Sequence, residues 1–79
     1  MKLNHLEVFL SVVRTRNFSE AGPEQHLSQP TVTQLIKQLE EELNAKLFHR
    51  TTHYVELTES GKLFVPYAEK LIQLLEEAK

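Results

Sequence analysis

The feature that most constrains the fold is an abrupt change of helical pattern within residues 18–39. A short, interrupted helical segment ends at His26, and Ser28 then opens a clean amphipathic one. Histidine is among the few non-glycine residues enriched in the left-handed conformation that a sharp turn needs, and serine is a preferred N-cap. Pro30 falls in the first helical turn, where its missing N–H costs little. The pattern predicts two helices joined by a tight turn, the layout of a helix-turn-helix unit.

The helix after this turn has two different faces. Its apolar residues recur at helix spacing and predict a core-facing stripe. They are Val32, Leu35, Ile36, Leu39 and Leu43. The opposite face is polar and mostly uncharged, and a face left merely to solvent in a chain that is 25% charged would more often carry Lys and Glu pairs. Gln, Thr and Ser side chains address base edges and phosphates. We interpret residues 29–43 as a DNA-reading helix, with an ordinary solvated face as the alternative.

The rest of the chain predicts three further helices and one hairpin. The first helix has an apolar stripe and ends at Asn17, a residue suited to a left-handed position, and Ser19 is the expected cap of the second. Alternating residues at 47–50 and 54–57 predict a two-stranded wing, and Thr58 is the expected cap of the last helix. The stripe of the first helix consists of Leu3, Leu6, Phe9, Leu10 and Val13. The expected fold is mainly α: a winged helix-turn-helix over residues 1–58, followed by a long helix over 59–79.

Composition limits how the chain could bind a polyanion. It has 79 residues, 9 Lys and Arg, 11 Asp and Glu, and a formal charge of −2. Sequence-independent affinity for nucleic acid requires many cations, so DNA contact should be local, through hydroxyls, helix N-termini and a few basic side chains. The chain lacks cysteine, a long apolar run and a signal-peptide pattern. We expect no thiolate metal site, no membrane span and a cytoplasmic location.

The last helix is apolar over a wide arc, roughly 200° when counted at 100° per residue. A helix packed only on its own small domain needs a stripe about half as wide. The surplus predicts a partner surface, and cover by a further domain of the same protein is the alternative. The residues expected at a homodimer interface are Leu63, Tyr67, Leu71, Ile72, Leu74, Leu75 and Ala78.

Several motifs in order resemble the N-terminal winged helix-turn-helix domain of the LysR-type transcriptional regulators, over essentially the whole chain. They are Phe18-Ser19, Leu27-Ser28-Gln29-Pro30, Leu39-Glu40-Glu41-Glu42-Leu43, Leu47-Phe48-x-Arg50, Leu57-Thr58-x-x-Gly61 and Pro66-Tyr67-Ala68. The resemblance implies a bacterial transcription factor whose dimers, joined by the last helix, bind an inverted-repeat operator in double-stranded DNA. It also implies a larger effector-binding domain. Because the chain ends in mid-helix, we expect a DNA-binding fragment, with any small-molecule effector bound by the absent domain.

The same resemblance implies roles for individual residues. Gln29 and Pro30 look like major-groove base contacts, and Arg50 looks like the family's phosphate-binding arginine. Wings of the family often carry Gly and Arg where this chain has Thr52-His53, so contact with the backbone or minor groove there depends on His53. The full set of implied DNA contacts is Ser28, Gln29, Pro30, Thr31, Thr33, Gln34, Lys37, Arg50, Thr51 and His53.

The second helix departs from the family pattern. Family members tend to read Ala-Ala-x-x-Leu where this chain has Ala21-Gly22-Pro23-Glu24-Gln25. Gly and Pro disfavour a helix interior by about 1 and 3 kcal/mol. Gln25 also places an amide where the helical stripe calls for an aliphatic side chain. The sequence thus predicts a weakened scaffold behind the reading helix.

Two readings from other functional classes remain. One is a small helical protein-interaction or dimerisation module whose Gln and Thr face is inert. The other is a metal site or hydrolase built on His49 and His53, which are four residues apart. That spacing brings two ligands together only on a helix, whereas here it spans a predicted strand and turn. We expect no catalysis, no metal and no cofactor.

Overall fold

The computed structural model describes residues 1–50 and 55–79, and its elements confirm the predicted winged fold. Within those residues the elements are α1 (Leu3–Thr15), α2 (Phe18–Glu24), α3 (Gln29–Leu43), β1 (Phe48–Arg50), β2 (Val55–Leu57) and α4 (Glu59–Glu77). The two strands pair antiparallel, with Phe48 opposite Leu57 and Arg50 opposite Val55. Three helices and a wing are therefore followed by one long helix, in the predicted order.

Helix α1 is the centre of the core and buries a wider face than its predicted stripe. The ring of Phe9 lies 5.4 Å from that of Phe48 and 5.2 Å from that of Phe64, between centroids. Helices α2, α3 and α4 all pack on α1, so positions beside the stripe are covered as well. The buried residues outside the predicted stripe are His5, Val8, Ser11 and Val12. Leu3, Leu10 and Val13 of the stripe are only half-buried.

The two buried polar residues of α1 each connect it to another helix. His5 Nδ1 accepts the Lys2 backbone N–H at 2.9 Å, so Nε2 donates to Gln38 Oε1 of α3 at 3.0 Å. Ser11 donates its hydroxyl to the Glu24 carboxylate of α2. Buried polar groups are costly only when they lack partners. These bonds therefore fix α2 and α3 on α1 without a penalty in the core.

In the described part of the chain, three non-glycine residues adopt the left-handed conformation at helix ends: Arg16, His26 and Asn44, with φ of 58°, 59° and 52°. His26 and Asn44 confirm the predicted turns. The prediction was wrong by one residue at the end of α1, where Arg16 rather than Asn17 is left-handed.

Asn17 instead caps α2, since its side chain accepts the N–H groups of Ser19 and Glu20. The predicted cap, Ser19, was wrong because α2 begins at Phe18 and Ser19 is already inside the helix. Asparagine is as good a cap as serine, so the sequence alone does not distinguish the two.

Helix α2 tolerates its unusual residues for two structural reasons. The turn folds back on Gly22, whose carbonyl accepts the Leu27 N–H at 2.7 Å, and a Cβ on Gly22 would lie 2.6 Å from the Leu27 carbonyl oxygen. Pro23 is exposed in the last turn, where only one N–H of the ladder is lost. Gln25 is the C-cap of α2 and is half-buried. Gly22 thus permits a close contact between the helix and the turn.

Candidate nucleic-acid interface

Helix α3 presents its polar face to solvent, as the sequence predicts. Val32, Ile36 and Leu39 are buried in the core, while Leu35 and Leu43 pack beside it. On the opposite side Ser28, Gln29, Pro30, Thr31, Gln34 and Lys37 are exposed, and Thr33 is half-buried. Seven of the ten predicted DNA contacts therefore lie together on one surface, from the turn to the middle of α3.

The start of α3 is built by a hydroxyl cap. The Ser28 hydroxyl accepts the Thr31 N–H at 3.4 Å and lies 2.9 Å from the Thr31 hydroxyl. The first turn reads Gln29-Pro30-Thr31-Val32, without an acidic residue. The positive end of the helix dipole is thus not offset by a carboxylate in this turn, and hydroxyls stand beside it. Such an end favours a phosphate oxygen.

One contact joins the two helices of the turn on this surface. The Ser19 hydroxyl of α2 donates to the side-chain amide oxygen of Gln29 at 3.0 Å. Both residues are exposed. No local sequence pattern predicts this contact, because the residues are ten apart and meet only through the angle between α2 and α3.

A groove between α3 and β1 collects positive charge. It is lined by Phe18, Thr33, Ile36, Lys37, Glu40, Lys46, Phe48 and Arg50. Three cations thus face one carboxylate, in a chain whose formal charge is −2. Glu40 is already engaged, since it accepts the Leu47 N–H at 2.7 Å and lies 3.8 Å from Lys46 Nζ. The groove is therefore a local basic patch.

Arg50 is held in place by an aromatic ring. Its guanidinium carbon lies 4.0 Å from the centroid of Phe18, and Phe18 packs edge-on against Phe48 at 5.8 Å. A guanidinium over a ring face gains a cation–π attraction and keeps its N–H edges available. Arg50 was predicted from the sequence, whereas Lys46 and the contact with Phe18 were not. The other predicted wing contacts, Thr51 and His53, lie outside the described residues.

Helix α4 exposes a separate, apolar surface along its length. Leu63 and Tyr67 are 69% and 65% exposed, and Leu74 is 51% exposed. Leu71, Leu75 and Ala78 are exposed as well. Ile72, which was also expected at this surface, is half-buried and packs against the core, one turn after the fully buried Ala68. We call Leu63, Tyr67, Leu71, Leu74, Leu75 and Ala78 the α4 face.

Comparison with known proteins places this architecture in a family. Residues 3–62 match the model for bacterial regulatory helix-turn-helix proteins of the lysR family. The chain is 44% identical over 78 residues to the HTH-type transcriptional regulator BudR of Klebsiella aerogenes, covering 99% of this chain and 54% of BudR. It is 38% identical over 78 residues to the regulator TfdT of Cupriavidus pinatubonensis, covering 99% of this chain and 34% of TfdT. The chain thus spans about half or less of the length of these relatives.

Solved structures of DNA-binding domains have the same fold as this chain. The DNA-binding domain of CbnR in complex with DNA superposes with a TM-score of 0.95 at 29% identity, covering 99% of this chain and 90% of that one. The BenM DNA-binding domain on its benA site 1 DNA gives 0.90 at 35% identity, covering 99% and 88%. Among the described residues, no helix has the length and hydropathy to cross a membrane. The chain belongs to the lysR family of bacterial regulatory helix-turn-helix proteins.

Proposed function

We propose that this member of the lysR family is the DNA-binding part of a transcriptional regulator, and that it places α3 in the major groove of a specific double-stranded sequence. The observation that carries the proposal is the exposed, mostly uncharged polar face of α3 beside the basic groove. Two structural neighbours with the same fold are complexes with DNA. The major groove is wide enough to admit a helix and displays a distinct pattern for each base pair.

The residues divide into two roles. Gln29 and Pro30 stand at the start of α3 and contact base edges, while Thr33 and Gln34 read the bases that follow. Ser28, Thr31, Lys37 and Arg50 hold phosphates, with Lys46 contributing charge from the groove. Thr51 and His53 remain predicted contacts of the wing. Because phosphate contacts fix position and base contacts carry sequence information, the two groups differ in how their loss affects binding.

The charge distribution favours specific over general binding. The chain is acidic overall. A duplex whose sequence does not match the polar face of α3 is therefore attracted only by the few cations of the groove. The competing hypothesis, a protein-interaction module without DNA binding, assigns no function to the polar face of α3. A salt-dependent mobility shift with duplex DNA separates the two.

The test compares Gln29→Ala with Arg50→Ala on a duplex that the wild-type protein selects from random sequences and on a scrambled duplex. Gln29→Ala should weaken the selected duplex by about 1 to 3 kcal/mol and leave the scrambled one nearly unchanged. Arg50→Ala should weaken both and reduce the salt slope by about one unit. Gln73→Ala, on the far part of α4, is the matched control and should change neither.

Two outcomes contradict this assignment. One is an equal loss on both duplexes for Gln29→Ala, which would make Gln29 a phosphate contact or a structural residue. The other is an unchanged salt slope for Arg50→Ala, which would leave Arg50 as a partner of Phe18 alone. Failure of the wild-type protein to select any sequence would contradict the function itself.

We also propose that two copies associate through the α4 face and bind an inverted repeat as a homodimer. The support is the exposure of large apolar side chains, since five of them cluster on one helix side. Residues 1–58 are then the DNA-binding unit and residues 59–79 the helix that joins the copies. A small-molecule effector, which the resemblance implies, would bind outside residues 1–79.

Sedimentation of charged variants tests the homodimer. Leu71→Glu and Leu74→Glu should each convert a dimer to a monomer, because a carboxylate in an apolar helix pair lacks a partner. Gln73→Glu introduces the same carboxylate on the exposed polar side of the same helix, and as the control it should leave the dimer intact. A wild-type protein that stays monomeric at high concentration would contradict the homodimer and favour cover of the α4 face by another domain.

A further inference from the structure

The bond between Ser19 and Gln29 links the two helices of the turn at the reading surface. Ser19 lies on α2, one residue after its first, and Gln29 is the first residue of α3. The hydroxyl donates to the amide oxygen at 3.0 Å. The side chain of a base-reading residue is thus held from the neighbouring helix before DNA arrives.

This bond leaves the amide free to read a base. An amide oxygen has two lone pairs and the NH₂ group has two donors, so Ser19 occupies one of four hydrogen-bonding positions. A bidentate pair with adenine needs one acceptor for the N6 amino group and one donor for N7. Both remain on Gln29. The hydroxyl therefore restricts the long side chain without competing for the base.

Preorganisation of this kind raises discrimination. A free glutamine side chain has many rotamers and loses them when it binds. With its oxygen fixed toward α2, the amide presents its donor and acceptor in a defined order. An adenine edge, with donor and acceptor side by side, matches that order. Thymine, cytosine and guanine edges do not.

We propose that Ser19 is a positioning residue that orients the Gln29 amide for an adenine in the major groove. The inference deepens the proposed function and rests on it. The distance between the two side chains depends on the angle between α2 and α3, which the Gly22 contact with Leu27 and the left-handed His26 set. The turn thereby contributes to base preference as well as to stability.

The experiment measures discrimination between two duplexes. One is the sequence that the wild-type protein selects, and the other differs only at the base pair whose preference Gln29→Ala abolishes. Ser19→Ala should lower the affinity ratio by about 2- to 10-fold, the equivalent of one net hydrogen bond, with little change on a random duplex. Ser19→Thr keeps the hydroxyl and should retain the ratio.

A double variant separates positioning from direct contact. In the Gln29→Ala background, Ser19→Ala should have no further effect, because its effect acts through the amide. If Ser19 instead contacted a phosphate, its loss would weaken all duplexes alike and would add to that of Gln29→Ala. Either result would overturn the inference.

A measurement without DNA makes the test independent of affinity. In the free protein, the side-chain NH₂ of Gln29 should lose order in Ser19→Ala by ¹⁵N relaxation, while that of Gln34 on the same face should not change. Unchanged order at Gln29 would overturn the inference. A wild-type protein that selects no sequence overturns the proposed function as well, whereas full discrimination by Ser19→Ala overturns this inference alone.

Discussion

Helices α3 and α4 are both amphipathic, yet they use their apolar residues in opposite ways. In α3, Val32, Ile36 and Leu39 are at most 2% exposed, and the polar side faces solvent. In α4, the half-buried Phe64 and Ile72 turn toward the core while the larger α4 face is exposed. The comparison shows that apolar spacing in a sequence identifies a helix and its faces, but not which molecule covers them.

The two exposed surfaces therefore suit different partners. The face of α3 offers hydrogen-bond donors and acceptors with few charges, which is the chemistry of base edges. The α4 face offers apolar area, and the burial of apolar area away from water is favourable. The apolar side of α3 is covered by its own domain and its polar side faces solvent, whereas α4 leaves large apolar side chains exposed.

The largest expected difference between the helices is in stability. Leu39→Ala should lower the free energy of unfolding by about 2 to 5 kcal/mol, because it leaves a cavity in the core. Leu74→Ala on the α4 face should change it little at dilute, monomeric concentration. Denaturant titration of both variants measures this. Equal losses at that concentration would mean that Leu74 packs on its own domain.

Gly22 of α2 and Gly61 of α4 each lie where a helix closely approaches the backbone of another segment. A Cβ on Gly61 of α4 would lie 2.2 Å from the Leu47 carbonyl oxygen, nearer than the 2.6 Å found at Gly22 of α2. Gly61→Ala should destabilise the fold by about 1 to 3 kcal/mol through overpacking, and Gly22→Ala by less. Thermal melts rank the two. The reverse order would show that the turn after α2 is the tighter joint.

The helix caps give a smaller and more specific contrast. Thr58 accepts the Gly61 N–H at 3.0 Å and also donates to the Lys46 carbonyl at 2.5 Å, whereas Ser28 caps α3 through a single N–H. Loss of a cap costs about 1 kcal/mol, so Thr58→Ala should destabilise somewhat more than Ser28→Ala. Only Ser28→Ala should also weaken DNA binding beyond its effect on folding. Parallel melts and duplex titrations check both statements.

The smallest expected effect is at the end of α3. The Met1 ammonium, 2.5 Å from the Glu42 carboxylate, lowers the pKa of Glu42 below its ordinary 4.5, mainly through a hydrogen bond and secondarily by charge attraction. A lowered folded-state pKa favours the ionised fold, so this stability is present above pH 4.5 and is lost as the pH falls below it.

Melting temperatures between pH 6 and pH 3 test this. Glu42→Gln should flatten part of the acid-side decline, and Glu41→Gln, its exposed neighbour, serves as the control. Because the pair is at the surface, added salt should reduce the difference between the two variants. An identical acid limb in wild type and Glu42→Gln would remove any role for the ion pair.

Local chemistry explains what the sequence predicts well. The Ser28 cap, the His26 turn and the stripe of α3 depend on residues within a few positions of each other, and all agree with the structure. The cap of α2 was predicted at Ser19 and is found at Asn17 because two good capping residues lie close together in the sequence. His5 and Ser11 were missed because polar residues are buried only where another helix supplies a partner, here Gln38 and Glu24.

The candidate site likewise combines features that local sequence predicts with features that depend on how separate elements pack. Its reading residues follow one another on a single helix, so their spacing predicts a shared surface. Lys46 and the Ser19 bond to Gln29 depend on where β1 and α2 lie against α3, which no local pattern contains. The wide apolar arc of α4 likewise does not mark where the core ends and the α4 face begins, and Ile72 lies at that boundary.

The left-handed corners have a consequence for how such a domain can diversify. Arg16, His26 and Asn44 turn the chain at positive φ, while both glycines serve close contacts at negative φ. A corner that does not depend on glycine keeps a side chain at its apex, at a cost of about 1 to 2 kcal/mol. Exchange among basic, neutral and amide residues at these exposed corners would change the surface charge of the domain while the turns persist.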